Sequence, residues 1–195
     1  LALGGANAEL DPVSTRNPAA ISLWGNPGLH LQYDPEFRRV SAGGASDRTM
    51  NARFPLISGV TRFGGAFSIG ASISTLLERT WTTRSSQVQD VGGEEVTTTT
   101  TFASSGGVND ARIALAWAVR PRLRVGIAGH AFTGENRVTL RSTFSDSTYS
   151  ALTQQTEVNY TGTAFSGGLS WSPLSAWSIG ASARLEGALR GRRAG

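Results

Sequence analysis

Two arms of alternating residues between positions 165 and 185 constrain the fold of this chain more than any other stretch. One parity carries mostly apolar side chains, including Phe165, Leu169, Trp171, Trp177, Ile179 and Leu185. The other parity carries serine, glycine and one arginine. Strand side chains alternate between two faces, so the pattern predicts a β-hairpin that turns near Pro173. A soluble sheet usually bears charge on its outer face, whereas small polar groups opposite an apolar face are typical of a membrane β-barrel.

The composition favours the same fold class. The chain has 195 residues, 24 glycines and a charged fraction of only 16%, below that of most soluble surfaces. The absence of cysteine excludes disulfides and thiolate metal sites. No run of about 18 apolar residues occurs, which excludes a transmembrane helix but not barrel strands, since these never show such a run.

The basic charge does not indicate a nucleic-acid partner. The net charge is +4, and every basic residue is an arginine. The arginines are scattered along the chain and are not clustered on one element with aromatic residues between them. Arg190, Arg192 and Arg193 supply much of the excess, and this tail is predicted to be a solvated loop or a segment cut off before its strand.

Turn residues divide the chain into a non-strand segment and a series of strands. Residues 1–27 are rich in small residues, with turns at Asp11-Pro12, Asn17-Pro18 and Asn26-Pro27. Strands are predicted at 29–33, 51–63, 67–77, 113–119 and 123–127, and residues 40–48 are predicted to be a loop with partial strand. The polar stretch 82–110 fits an extended hairpin and a solvated loop equally well. Residues 134–156 form a second polar excursion.

A short repeat points to barrel asymmetry. Phe67-Ser-Ile-Gly-Ala, Leu123-Arg-Val-Gly-Ile and Trp177-Ser-Ile-Gly-Ala each follow a short turn. Short turns at one end and long loops at the other characterise outer-membrane barrels. Trp117, Trp171 and Trp177 lie beside the short turns and are predicted to form an aromatic girdle at one rim.

The N-terminal third carries a family resemblance. Leu3-Gly-Gly-Ala-Asn-Ala-Glu-Leu-Asp-Pro is followed by Arg16-Asn17-Pro18-Ala19-Ala20-Ile21 and then by a strand that closes in Tyr33-Asp34-Pro35. This order resembles the start of the FadL-type long-chain fatty acid transporters of Gram-negative outer membranes. The later repeats resemble hairpins of that family, so the similarity spans most of the chain.

The resemblance implies an all-β, antiparallel transmembrane β-barrel of fourteen strands, of which this chain, as a fragment, supplies about half. Residues 1–27 would be a hatch in the lumen and residues 28–195 barrel strands. The hatch residues expected from the family are Gly4, Gly5, Asn7, Asp11, Asn17, Pro18 and Ala19. In the family a kinked strand lets the substrate leave sideways, and Gly70 is the candidate weak point here.

Motifs for covalent chemistry are absent from the sequence. It contains no Gly-x-Ser-x-Gly and no P-loop, and His30 and His130 have no clustered acids beside them. We therefore expect no enzyme, no catalytic residue, no metal and no cofactor. Arg112, Arg124, Arg184 and Glu186 share one parity and are predicted to form a polar ladder in the lumen, or to contact a carboxylate.

The alternation predicts a membrane barrel, and the resemblance implies a bacterial outer-membrane protein for passive uptake of hydrophobic small molecules such as fatty acids. Its partners would be that substrate, outer-membrane lipid and lipopolysaccharide, with the barrel acting as a monomer and without nucleic acid. One alternative is a structural or secretion-associated barrel that binds proteins through its long loops. Another is a soluble β-sandwich, which predicts that Trp117, Ile127, Leu169 and Ile179 are buried against a second sheet.

Overall fold

The computed structural model describes residues 9–42, 45–146 and 148–194, which form one antiparallel sheet preceded by a short 3₁₀ helix at Pro18–Leu23. The strands are β1 (Gly28–Ala42), β2 (Ala45–Phe63), β3 (Phe67–Glu78), β4 (Trp81–Val91), β5 (Glu94–Arg120), β6 (Leu123–Phe144), β7 (Leu152–Leu174), β8 (Trp177–Glu186) and β9 (Arg190–Ala194). Their order is β1-β2-β3-β5-β6-β7-β8, with β4 paired to β5 and β9 to β7. The all-β prediction is confirmed. The described strands form an open path, so closure into a barrel stays a prediction.

Glycine pairs make two of the tight connections. Gly92 and Gly93, with φ of 69° and 91°, join β4 to β5 as a two-residue turn between the paired residues Val91 and Glu94. Gly64 and Gly65 open the β2–β3 turn with φ of 59° and 72°. Glycine adopts these positive φ angles without the Cβ clash that other residues meet, which is why such pairs mark hairpins.

Several strands are longer than the sequence pattern predicts. β1 continues through Asp34-Pro35, where the register shifts after Gln32, and the described residues on either side of positions 43 and 44 are strands, with Val40 paired to Asp47 and Ala42 to Ala45. The predicted end at Pro35 is therefore wrong, and strand covers more of the described part of 40–48 than the partial strand predicted there. β1 ends the strand order, and an edge strand tolerates proline because one row of its N–H groups needs no ladder partner.

The polar stretches are also strands. Of the two interpretations of residues 82–110, the extended hairpin is confirmed, with Gln87 opposite Thr98 and Ser85 opposite Thr100. β-Branched threonine suits a pleated strand even where it buries little. The arginine tail is not a loop, because β9 pairs with β7 through Arg193 and Val158.

The contacts of the chain divide into two compact units. The first comprises the described residues up to Thr75, together with Asp110–Ala131 and Thr163–Ala188. The second comprises Leu76–Asn109, Phe132–Gly162 and the residues from Leu189. Within the second unit, Val96 and Val108 are buried, and Arg137 forms an ion pair of 3.1 Å with Glu157.

The strands of the first unit have two unlike faces. The face called here the covered face consists of Ser68, Gly70, Ser72, Asp110, Arg112, Ala114, Ala116, Gly126, Ala128, His130, Ala164, Ser166, Gly168, Ser170, Gly180, Ser182 and Arg184. The alternate residues form the exposed face, on which Ile113 and Ile127 are each 65% exposed and Phe165 is 69% exposed. The predicted alternation is thus present in three dimensions.

The sandwich alternative does not describe this arrangement. Trp117, Ile127 and Ile179 are exposed and Leu169 is half-buried, and the described strands belong to a single sheet. No helix in the described parts of the chain is both long enough and apolar enough to cross a membrane.

Candidate functional site

Residues 9–24, called here the N-terminal segment, lie against the covered face. The segment is fastened by Asn17, whose Nδ2 donates to the carbonyl oxygen of Leu169 at 2.9 Å and to that of Glu9 at 2.7 Å. The Oδ1 of Asn17 accepts from the backbone N–H of Ala19 at 2.9 Å and so caps the 3₁₀ helix. One fully buried side chain therefore ends the segment's loop, starts its helix and binds it to β7.

Glycines on three strands make room for this close approach. A Cβ on Gly126 of β6 would lie 2.5 Å from the backbone nitrogen of Ala19, and one on Gly168 of β7 would overlap Oδ1 of Asn17. A Cβ on Gly180 of β8 would lie 2.8 Å from Glu9. Gly126 and Gly180 belong to the repeat, so these two repeat glycines are explained by the seat that they form with Gly168 for the segment.

An apolar cluster completes the contact between segment and sheet. Ile21 is buried among Val60, Ala114, Ala116 and Ala128, and Trp24 packs against the cluster. The indole Nε1 of Trp24 donates to the carbonyl oxygen of Pro12 at 2.7 Å, which folds the segment back on itself. The small alanine side chains of β5 and β6 let the helix lie near the sheet.

A buried polar cluster lies on the same face. His130 places Nδ1 at 2.9 Å from Oδ2 of Asp110 and Nε2 at 2.8 Å from Oγ of Ser166. Asp110 also lies 3.5 Å from Nη2 of Arg184. The side chains of His130 and Asp110 are 0% and 3% exposed, so the geometry of their contact is fixed by packing. The cluster joins β5, β6, β7 and β8.

Arg112, two residues after Asp110, is also buried on the covered face. Its Nε and Nη2, and the hydroxyls of Ser58 and Ser72, have no hydrogen-bond partner among the described residues. All three residues line a small cavity under residues 12–15 of the segment. The cavity holds about 10 Å³, close to the space that one water molecule needs, and water there would satisfy these groups.

The exposed face carries an apolar groove of about 640 Å³. Large side chains border it, among them Leu29, Ile57, Ile73, Ile113 and Phe165, and Gly59, Ala71 and Gly129 contribute to its lining. The groove exists because small residues interrupt the large ones on the same face. Its width and apolar lining suit an alkyl chain.

The structure brings part of the predicted ladder together. Arg112 and Arg184 both lie on the covered face near Asp110, whereas Nη2 of Arg124 contacts the carbonyl oxygen of Pro121 at 3.5 Å in the β5–β6 turn. The side chain of Glu186 lies outside the described residues. Asp110, His130 and Ser166 were missed by the sequence analysis. The sequence feature that they share is that each lies at one of the alternate strand positions that form the covered face.

The other predicted residues are placed as follows. Asp11, Asn17, Pro18 and Ala19 belong to the N-terminal segment, and Asp11 Oδ1 accepts from the N–H of Val13. Gly4, Gly5 and Asn7 lie outside the described residues. Gly70 pairs with Val60 without a register shift, and its missing side chain leaves room for Ile21, so the strand weak point stays a prediction.

The three predicted girdle tryptophans lie on the exposed face. Trp117, Trp171 and Trp177 are 45%, 44% and 65% exposed. Phe67 stacks on Trp117 with ring centroids 5.9 Å apart, and Phe63 stacks on Phe67 at 5.5 Å. The sequence analysis did not include these two phenylalanines in the girdle, although both flank the Gly64-Gly65 turn.

Comparison with known proteins adds no family. No protein-family model, no curated protein and no solved structure matches this chain. The described residues also contain no group of three histidine, cysteine or acidic side chains placed to hold a metal ion. The function is therefore inferred from the geometry of the two faces.

Proposed function

We propose that this chain is part of a bacterial outer-membrane β-barrel that takes up hydrophobic small molecules, such as long-chain fatty acids, by passive passage. Residues 1–27 act as the hatch and residues 28–195 as barrel strands. The exposed face contacts outer-membrane lipid and lipopolysaccharide, and the covered face lines the lumen. The barrel acts as a monomer.

The contrast between the two faces is the observation that carries this proposal. In water, a contiguous apolar surface of this kind is costly and marks a membrane or partner site. In a bilayer the same surface is favourable, provided that backbone groups are paired within a sheet, as they are in membrane barrels. The stacked Phe63, Phe67 and Trp117 suit the interfacial position that aromatic residues take in such barrels.

The N-terminal segment supports the hatch part of the proposal. It lies on the small side chains of the covered face, which by themselves would leave the lumen unfilled. Asn17 fastens the segment to β7 through one hydrogen bond to Leu169. A passing molecule exchanges water for apolar contacts, at roughly 25 cal/mol per Å² of buried apolar area. The passage itself needs no covalent step, cofactor or metal.

We place sideways exit near Gly70. The apolar groove, which Gly59 and Ala71 help to line, lies on the exposed face beside Gly70. It suits an alkyl chain that leaves toward lipid. Ile21 of the segment contacts the Gly70 position from the other side. Displacement of the segment therefore acts directly on this part of β3.

A disulfide lock tests the proposal in proteoliposomes. The chain has no cysteine, so the pair Glu9→Cys and Gly180→Cys is unique, and a shift of about 1 Å brings the two Cβ atoms to disulfide distance. We expect labelled fatty acid to enter wild-type vesicles faster than empty ones, and the oxidised double variant to be several-fold slower until it is reduced. Each single variant is the control.

The outcomes separate the two parts of the proposal. Uptake equal to that of empty vesicles overturns passage of hydrophobic acids. Wild-type uptake that persists in the oxidised double variant overturns the hatch while leaving passage intact.

A second candidate is a structural or secretion-associated barrel. The feature that favours it is the β4–β5 hairpin of the second unit, on which every described β4 side chain from Trp81 to Asp90 is exposed and most are polar. Such a ribbon offers a protein partner two strands of hydrogen-bonding side chains. If this candidate is right instead, the wild type captures a protein partner and shows no uptake above that of empty vesicles, and deletion of residues 82–103 abolishes the capture.

A further inference from the structure

We propose that Ser166, His130 and Asp110 form a serine-hydrolase triad that cleaves acyl esters reaching the covered face. His130 contacts the carboxylate with one ring nitrogen, at 2.9 Å, and the hydroxyl with the other, at 2.8 Å. A Ser-His-Asp triad is defined by this geometry and these roles, whatever the order of its members along the chain. The activity is additional to the passage proposed above, which needs no covalent chemistry.

The buried contacts fix the role of each group. The carboxylate of Asp110 accepts a hydrogen bond from Nδ1–H of His130, which leaves Nε2 as an acceptor. The hydroxyl of Ser166 then donates to Nε2 and is placed to lose its proton to it. Ser166 is the nucleophile, His130 the general base, and Asp110 a positioning residue that selects the tautomer.

Arg184 supplies the donors for the oxyanion. It lies directly opposite Ser166 in the β7–β8 register, and its side chain is 28% exposed, so solvent reaches the edge of the cluster. Strand β7 is paired on both sides, so the guanidinium group of Arg184 takes the place that backbone amides hold in other hydrolases.

The reaction is a balanced acyl transfer. Oγ of Ser166 attacks the ester carbonyl carbon, and its proton passes to Nε2 of His130. The carbon–oxygen bond to the alcohol breaks, and the alcohol leaves with that proton. Water, deprotonated by His130, then attacks the acyl carbon, the bond to Oγ of Ser166 breaks, and the proton on His130 returns to Oγ as a carboxylic acid is released.

Neighbouring residues indicate the substrate class. Ala164 precedes Ser166 by two positions on the same face and is 2% exposed, whereas Ala128 packs against Ile21. Ala164 offers an apolar contact to the acyl chain, while the guanidinium group of Arg184 attracts the carboxylate of the product. Esters with an apolar acyl part are the class that fits both features.

An active-site probe gives the first test. The full chain, folded in detergent micelles, is incubated with an alkyl fluorophosphonate and its mass is measured. Wild type should gain one phosphonyl group, Ser166→Ala none, and Ser170→Ala the same group as wild type. Ser170 is the matched control because it is buried on the same face of β7. Absence of labelling in folded wild type, or equal labelling of Ser166→Ala, overturns the triad.

Kinetics test Asp110 separately from a structural role. With p-nitrophenyl octanoate as substrate, Asp110→Asn should lower kcat by roughly 10⁴-fold with little change in KM, since the wrong tautomer of His130 is stabilised. If Asp110 only stabilises the fold, the folded fraction falls while kcat per folded molecule stays constant. That result overturns its positioning role.

A cysteine pair keeps the proposal testable if the alanine variant does not fold. Iodoacetamide should alkylate Ser166→Cys at neutral pH at least about tenfold faster than Ser170→Cys, because His130 removes the thiol proton. Equal rates in the two folded variants mean that His130 does not act as a base toward position 166, and the triad is overturned.

Discussion

The covered and the exposed face of the first unit come from alternate residues of the same strands, yet they differ in size, polarity and contacts. Ala114 and Ala116 are each 1% exposed, whereas Ile113 between Arg112 and Ala114 is 65% exposed. The covered face meets a segment of its own chain. The exposed face meets nothing in the described chain, although its side chains are the larger ones.

This difference shows how the chain distributes its small and its large apolar side chains between contacts within the molecule and contacts with its surroundings. In an ordinary soluble domain the large apolar side chains form the core, and burying each is worth about 1.5–3 kcal/mol. Here small side chains form the contact within the molecule, and the large ones are left for the surroundings. Under the proposed function those surroundings are lipid, which favours such a face.

A charge on the exposed face should give the largest effect. Ile127→Arg should destabilise the protein in lipid vesicles by roughly 2–4 kcal/mol, because the guanidinium would lie in hydrocarbon. Urea unfolding followed by tryptophan fluorescence measures the change. Gln89→Arg, on exposed and polar β4, is the control and should change stability by less than about 0.5 kcal/mol. Equal, small effects would show that the exposed face does not contact lipid.

Adjacent glycines of β7 compare the faces directly. Gly168→Ala should cost roughly 3 kcal/mol, because its methyl group overlaps Oδ1 of Asn17 and lies 2.9 Å from Pro18, and overpacking of this kind forces a shift. Gly167→Ala should be near neutral, since a Cβ there has nothing within 4 Å. Neither glycine has a positive φ, so backbone strain does not confuse the pair. Amide exchange of residues 17–24 should rise in Gly168→Ala alone.

Removal of the side chain that fastens the segment should have a smaller effect. Asn17→Ala should cost about 2 kcal/mol, since it removes a cap and leaves the carbonyl oxygens of Glu9 and Leu169 without this donor. Asn17→Asp keeps the acceptor for Ala19 but sets a buried, charged oxygen against the carbonyl oxygens of Glu9 and Leu169, so it should destabilise the protein at least as much as Asn17→Ala. Asn26→Ala, at an exposed turn, is the control. Identical urea midpoints for Asn17→Ala and wild type would contradict the fastening role.

The smallest effect is expected at Asp146, which lies in the β6–β7 connection and on neither face. Hydrogen bonds from the backbone N–H and the side chain of Thr148 hold the pKa of Asp146 below its usual value. This contribution to the turn is present above the unfolded pKa of about 3.9 and is lost as the pH falls through the lower folded pKa. The protection factor of the Thr148 amide, which is the exchange rate of an unfolded peptide at the same pH divided by its own, should fall in that acidic window and already at neutral pH in Asp146→Asn. A change that spreads to residues 17–24 would contradict the local assignment.

The sequence predicted the faces better than the strand lengths. Period-two alternation identified which residues of 67–77, 113–119, 123–127 and 165–185 share a face, because a strand can expose only two sides. It gave no decision at Thr97–Thr101, where the extended hairpin was one of two interpretations, or at Arg190–Arg193, where a loop or a segment cut off before its strand was predicted. Polar residues occupy strands in both places, and pairing with a neighbouring strand leaves no periodic signal in one strand alone.

The site was predicted in part for the same reason. Arg112 and Arg184 were identified by parity, but Asp110, His130 and Ser166 lie 20 and 36 residues apart and follow no local spacing. Only the strand order β5-β6-β7 brings them together. The contact between Asn17 and β7 could not be predicted from local sequence either. A glycine on the covered face indicates that another part of the chain approaches closely, but it does not identify that part.

The hydrogen bond from Asn17 to Leu169 has a consequence for the order of assembly. The two residues are 152 positions apart, so a ribosome makes the segment long before it makes the strand that receives it. Gly126, Gly168 and Gly180 form a seat only after β6, β7 and β8 are in register. The first described residues to be synthesised therefore dock among the last, and until then Ile21 and Trp24 are exposed and available to a chaperone.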